Sequence, residues 1–186
     1  MSLPDVSVLV PVYNAMPYLA TCMASLIEQS VGWDRLEVLA VDDGSTDGSG
    51  DLLDELARSW DRLRVIHIER EHSGGGSLGR NVGLDHAAGR YVFFLDADDY
   101  LAAEALERMV ALADRDSADV VTCRRVQVGG IKGIRDVKDY VPLTGRSRHS
   151  GLDAAAFDSA VRSATALEWT ALTNFARPKS KENPPP

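Results

Sequence analysis

Little in this 186-residue sequence can serve a soft metal or a cross-link, since it holds two cysteines and four histidines. Cys22 falls in a predicted helix and Cys123 at a predicted strand end, a separation that fits no metal spacing. Both are read as small buried thiols. No apolar run approaches the roughly 18 residues of a membrane-crossing helix, and no signal-peptide pattern opens the chain. The expectation is a cytoplasmic protein with no transmembrane segment, placed at the inner face of the membrane if its substrate is lipid-linked. Basic residues are outnumbered 20 to 28, for a net charge of −8, which excludes a nucleic-acid partner held by general electrostatics. An anionic ligand must therefore be met locally, by arginine, backbone amides or a metal ion. Glutamate nearly vanishes late in the chain, where only Glu168 and Glu182 follow Glu107. The apolar content of 45% and charged content of 26% are those of a globular domain, with length for one core or slightly more.

What is present is an alternation of strand and helix patterns. Val6 to Val12 is a β-rich run ended by the turn signal Tyr13-Asn14, and Leu19, Met23, Leu26 and Ile27 recur at helical spacing behind Pro17. Leu36 to Val41 is a second strand, followed by the turn formers Asp42 to Ser49 and by a helix marked by Leu52, Leu53, Leu56 and Ala57. Arg64 to Ile68 is a third strand, Ser73 to Gly76 a glycine run, and Leu78, Val82, Leu84 and Ala88 mark a third helix. Arg90 to Leu95 is a fourth strand, about Ala102 to Asp114 a fourth helix, and Ala118 to Cys123 a fifth strand. Beyond it, Gly129-Gly130 and Lys132-Gly133 predict hairpin turns, Leu152 to Ser163 a helix, and Trp169 to Phe175 an ambiguous apolar patch. The tail from Arg177 is rich in Pro and Lys and is expected to be disordered.

Such alternation predicts an α/β fold with a mostly parallel sheet covered on both faces. Ligands then bind beyond the carboxyl ends of the strands, which is where the unusual polar residues fall: Tyr13 and Asn14, Asp42 and Asp43, the stretch from His72 to Arg80, and Asp96 to Asp99. An extended Asp96-Ala97-Asp98 points both carboxylates to one side. Like charges about 4 Å apart repel by roughly 4 kcal/mol at an effective dielectric near 20, so the cluster favours a hard cation, Mn²⁺ or Mg²⁺. Asp99 has the alternative of capping the helix near Ala102. Asp43 offers a carboxylate to a base N–H or ribose hydroxyl, or else caps the second helix. Arg80 can reach a diphosphate with two N–H groups or pair with a strand-end aspartate.

Two rivals use the same residues. Gly74-Gly75-Gly76-Ser77-Leu78-Gly79 satisfies the dinucleotide pattern G-x-G-x-x-G, with Asp96 as the distant acid, and suggests an oxidoreductase. The run, however, sits in the third strand-helix unit, several residues after its strand, whereas a phosphate cradle needs the tight turn at once. Asp96-Ala97-Asp98 also has the form of a phosphatase nucleophile motif, but it follows the fourth strand rather than the first.

Taken in order, Val6 to Asn14, Val41-Asp42-Asp43-Gly44-Ser45-Thr46-Asp47, Gly79-Arg80-Asn81-Val82-Gly83 and Asp96-Ala97-Asp98-Asp99 strongly resemble the family 2 glycosyltransferases with a GT-A fold, across about residues 5 to 124. The resemblance implies inverting transfer of a sugar from a nucleotide diphosphate, usually UDP-linked, to an acceptor hydroxyl on a carbohydrate or lipid-linked chain such as a cell-envelope polymer. It implies that Pro11, Tyr13 and Asp43 hold base and ribose, with Asn14 and Asp42 beside them and Arg80 near the diphosphate. Asp96 would meet ribose or metal-bound water, and Asp98 of this DXD motif would ligate Mn²⁺ or Mg²⁺. The family's acidic general base, some 80 to 100 residues further on, has no counterpart here. The expected division is a donor-binding region at 1–124 and an incomplete acceptor region at 125–186. Its alternative function is a nucleotide-sugar-binding module without transfer.

Overall fold

The computed structural model describes residues 3–68, 76–118, 120–124, 126–128, 131–133, 141–143 and 169–174. Strand β1 (Val6–Val12) lies at the middle of the parallel half of the sheet, between β2 (Leu36–Asp42) and β4 (Tyr91–Phe94), and β3 (Leu63–His67) adds to the far side of β2. These four strands are parallel, joined by α1 (Leu19–Ile27), α2 (Ser49–Ala57) and α3 (Gly76–His86). After α4 (Ala105–Asp116) come β5 (Val120–Arg124), a β6–β7 hairpin (Val126–Val128 with Ile131–Gly133), β8 (Val141–Leu143) and β9 (Trp169–Asn174). The seven-stranded order is β3-β2-β1-β4-β9-β5-β8, with antiparallel pairing from β4 onward.

The α/β expectation therefore holds, and β6 pairs antiparallel with β7 on either side of 129–130 as expected, whereas Lys132-Gly133, expected to turn, lies in β7 opposite Gln127 and Val126. The ambiguous patch from Trp169 is a strand, and its place could not be read locally: β9 enters between β4 and β5. Strands β8 and β9, from beyond residue 124, thus belong to the same sheet as β1 to β5. The predicted helix at 152–163 and the tail from Arg177 lie outside the described residues. Helix α4 starts at Ala105 rather than near Ala102, because the buried Gln29 at the end of α1 fixes its first turn. Gln29 donates to the Ala102 carbonyl at 2.9 Å and accepts from Leu106 N–H at 3.1 Å. No described helix is long and apolar enough to cross a membrane.

Side-chain alternation along β1 divides the core. Val6, Val8, Val10 and Val12 pack with Leu19, Met23 and Leu26 of α1, Leu53 of α2, and Leu106 and Met109 of α4. Leu9 points the other way, into a smaller cluster with Leu39, Ala87, Val92 and Leu84 beneath α3. Two glycines one helical turn apart let α3 lie close to β1: a Cβ on Gly79 would stand 3.0 Å from Pro11 Cβ, and one on Gly83 2.8 Å from Leu9 Cδ2. Leu9 is fully buried and has nowhere to retreat. Gly83→Ala gains about 1 kcal/mol of helix propensity but overpacks the core at a cost of about 1–3 kcal/mol. We expect a net loss of stability, read as a lower denaturant midpoint with an unchanged m-value.

Candidate functional site

The carboxyl ends of β1, β2 and β4 and the start of α3 enclose a cavity of about 510 Å³. Its wall includes Pro11, Tyr13, Asn14, Asp43, Arg80, Asp96 and Asp98, brought together from four separate segments. Gly76 and Gly79 of the glycine run also line it, as do Ala15 and Tyr18, which were not singled out in the sequence. Tyr13 and Tyr18 are nearly half exposed, so the mouth carries two aromatic faces beside carboxylates. An exposed aromatic at a strand-helix junction was the available signal for Tyr18, although its helical spacing reads equally well as packing.

Two loops form one wall of the cavity and are fastened to each other as well as to the strand ends. Asn14, in the left-handed region with φ 48°, donates its N–H to Ser45 Oγ at 3.0 Å and accepts from Thr46 N–H at 2.8 Å. Ala15 N–H donates to Ser49 Oγ at 3.0 Å, and Met16 N–H to Asp47 Oδ2 at 2.9 Å. Asp47 loses some solvation, yet donors from Ser49 and Met16 favour its charged form and hold its carboxyl below the usual carboxylate range. The Asn14 side-chain oxygen is thus spent on holding a loop. Asp43 is buried on the pocket wall with its N–H donated to the Val12 carbonyl at 2.9 Å. It does not cap α2, whose N-cap is Gly48.

Asp42 corrects an expectation. Grouped with Asp43 as a nucleotide-binding candidate, it ends β2 and faces the opposite way, because neighbouring residues on an extended chain alternate. It lines a second cavity of about 240 Å³ with Asp51, Asp54 and His67. There it accepts from Ser45 N–H at 3.1 Å and lies 3.1 Å from His67 Nδ1.

The acidic cluster follows Leu95, whose N–H donates to the Leu9 carbonyl at 3.0 Å and so continues the pairing of β4 with β1. The chain then turns instead of staying extended, with Asp99 N–H donating to the Asp96 carbonyl at 2.9 Å. Convergence of the carboxylates comes from this turn, not from strand alternation: one oxygen from each of Asp96, Asp98 and Asp99 lies within 4.8 Å of the others. Asp98 is exposed at the cavity while Asp99 is buried. Asp99 is not a helix cap, since α4 begins after Glu104. Arg80 Nη2 donates to Asp96 Oδ1 at 2.5 Å, both side chains partly exposed. Behind the cluster, burial first and the charges of Asp99, Asp96 and Asp98 second push the Cys22 thiol far above its ordinary value, so it stays protonated and inert. His72, Gly74 and Gly75 lie outside the described residues, while Gly76 opens α3.

Residues 7–160 match the family described as Glycosyl transferase family 2. The chain belongs to that family. Its oxidoreductase and phosphatase rivals fall away with this assignment. Among relatives of this glycosyltransferase-family chain, EpsJ of Bacillus subtilis, named a glycosyltransferase, is 36% identical over 75% of this chain and 38% of its own length. S. aureus TarS 1-349 in complex with UDP-GlcNAc is 36% identical with a TM-score of 0.64, covering 68% of this chain and 36% of that one. The mannosyltransferase PcManGT from Pyrobaculum calidifontis, in complex with GDP-Man and Mn²⁺, is 30% identical with a TM-score of 0.59 over 68% of this chain and 37% of that one. The fold is the GT-A type of these neighbours, and the chain spans under two fifths of the length of each of them.

Proposed function

We infer that this chain binds the nucleotide-sugar donor of a metal-dependent, inverting glycosyltransferase, with UDP as the nucleotide and a carbohydrate or lipid-linked hydroxyl as the acceptor. The observation that carries the reading is the single cavity on which Tyr13, Asp43, Arg80, Asp96 and Asp98 converge. The similarity to the UDP-GlcNAc complex supports a UDP-linked donor, and the similarity to the Mn²⁺ complex supports a metal. In this reading residues 1–124 supply the donor site and residues 125–186 belong to the acceptor side.

The cluster fits such an ion, because it offers only hard carboxylate oxygens, close enough together to share one cation. Asp98 and Asp96 would hold Mn²⁺ or Mg²⁺, which supplies positive charge against the departing diphosphate. Tyr13 offers an aromatic wall to the base, and Asp43 accepts from a base N–H or a ribose hydroxyl. Arg80, oriented by Asp96, keeps further N–H groups for diphosphate oxygens, where planar bidentate donors hold best. Inversion requires one displacement, with the acceptor on the face opposite the diphosphate. A carboxylate base for that acceptor is worth about 10²–10⁴-fold. Glu168 and Glu182 lie outside the described residues.

Thermal unfolding with UDP and Mn²⁺ tests the reading, since a ligand bound only by the folded chain stabilises it. At a hundredfold excess over Kd we expect a rise of about 5–10 °C. The shift should vanish with chelator and be absent with NAD; an equal shift from UDP without metal, or from NAD, would overturn it. Calorimetry with UDP-sugar and product analysis then separate transfer from binding alone.

A further inference from the structure

His67 ends β3 as the register partner of Asp42, so parallel pairing sets the two side chains on one face of the sheet. Its ring bridges two carboxylates of different elements: Nδ1 stands 3.1 Å from Asp42 Oδ2 on β2, and Nε2 3.1 Å from Asp54 Oδ1 on α2. A neutral imidazole donates through one nitrogen only, whereas both donate in the imidazolium. Two carboxylate partners therefore select the charged ring. The other charged group lining this cavity is Asp51 of α2, also negative, and no described cation opposes them there.

Asp42 divides its two oxygens. Oδ2 faces His67, and Oδ1 accepts from Ser45 N–H at 3.1 Å. Ser45 Oγ then accepts from Asn14 N–H at 3.0 Å, on the loop that carries Tyr13. A continuous chain of hydrogen bonds thus runs from His67 to the wall of the nucleotide cavity. We propose that His67 is a positioning residue for that cavity: its charged ring fixes Asp42, Asp42 fixes the 43–47 loop, and nucleotide affinity depends on whether the ring is charged. The proposal rests on the nucleotide-binding reading above.

The direction with pH follows. Asp54 first and Asp42 second hold the His67 pKa above the ordinary histidine value. A raised folded-state value means the contribution is complete below about pH 6.5 and is lost as pH rises through the folded-state value. UDP affinity in Mg²⁺ should therefore fall about tenfold as pH rises from about 6.5 through the folded-state value, a typical coupling between linked groups.

Calorimetric titration of UDP with Mg²⁺ across this range, on the whole chain, supplies the test, with unfolding midpoints confirming that each protein is native. His67→Gln should bind weakly and lose the histidine-dependent step, and His67→Arg, always charged, should bind tightly without it. The half-exposed Asp54 gives a second variant that leaves the core intact: Asp54→Asn should move the midpoint of the affinity profile to lower pH, which a merely structural role would not do. Proton uptake by the nucleotide is common to all variants and cancels in the comparison. Parallel profiles for the wild-type chain and His67→Gln, or an unmoved midpoint in Asp54→Asn, overturn this proposal alone. Absence of UDP binding by the wild-type chain at every pH overturns the nucleotide-site reading and this proposal together.

Discussion

Asp98→Asn is expected to abolish metal-dependent UDP binding while leaving the chain folded and no less stable. The substitution keeps size and shape but removes one of three carboxylates gathered within 4.8 Å. A single charge pair about 4 Å apart at an effective dielectric near 20 is worth roughly 4 kcal/mol, and each 1.4 kcal/mol is about tenfold in affinity. Metal-dependent affinity should thus fall by about three orders of magnitude, below what a thermal shift detects. Without ligand the effect has the opposite sign. Asp98 is exposed and enters none of the described ion pairs, and its loss relieves repulsion from Asp96 and Asp99. The stability of the variant should therefore be unchanged or rise by up to about 0.5 kcal/mol, the range of surface substitutions. A lowered midpoint with an intact UDP and Mn²⁺ response would assign Asp98 to the scaffold and remove the metal reading.

The parallel half of the sheet was legible because its strands are short β-branched runs separated by helices of clear period, each bounded by turn formers. Val6 to Val12 and Leu36 to Asp42 match their predicted spans to within one residue. The site was legible for the same reason, since strand ends in such a sheet share one edge. What escaped depended on pairing between distant segments. Nothing near Trp169 announces that β9 inserts between β4 and β5, and nothing near Gln29 announces that its amide braces α4. His67 looked like one more strand residue until the register set it against Asp42. The reading of Asp42 as a partner of Asp43 was avoidable, because adjacent residues at a strand end face opposite ways. For Asp96 and Asp98 the expected convergence arose from a turn that the triplet's spacing does not encode.

Phe93→Ala should produce the largest loss of stability, about 3–5 kcal/mol, against a total of about 5–15 kcal/mol for a native domain. Phe93 is fully buried and is the largest such side chain among the described residues, in a strand of four residues between β1 and β9. It sits opposite Val8 on one side and Leu172 on the other, so the void opens where the parallel and antiparallel halves of the sheet meet. Phe93→Leu keeps most of the volume and should cost less than about 1.5 kcal/mol. Denaturant midpoints measure both. The variant also separates scaffold from site, because Phe93 lies three residues before Asp96 and does not line the cavity. Saturating UDP with Mn²⁺ stabilises whatever fraction of chain is folded, so it should restore part of the Phe93→Ala loss and none of the ligand response missing from Asp98→Asn. The two substitutions thus have opposite signatures, one unstable but responsive and the other stable but silent. Finding both unresponsive would mean that the cavity depends on core packing more than on its carboxylates.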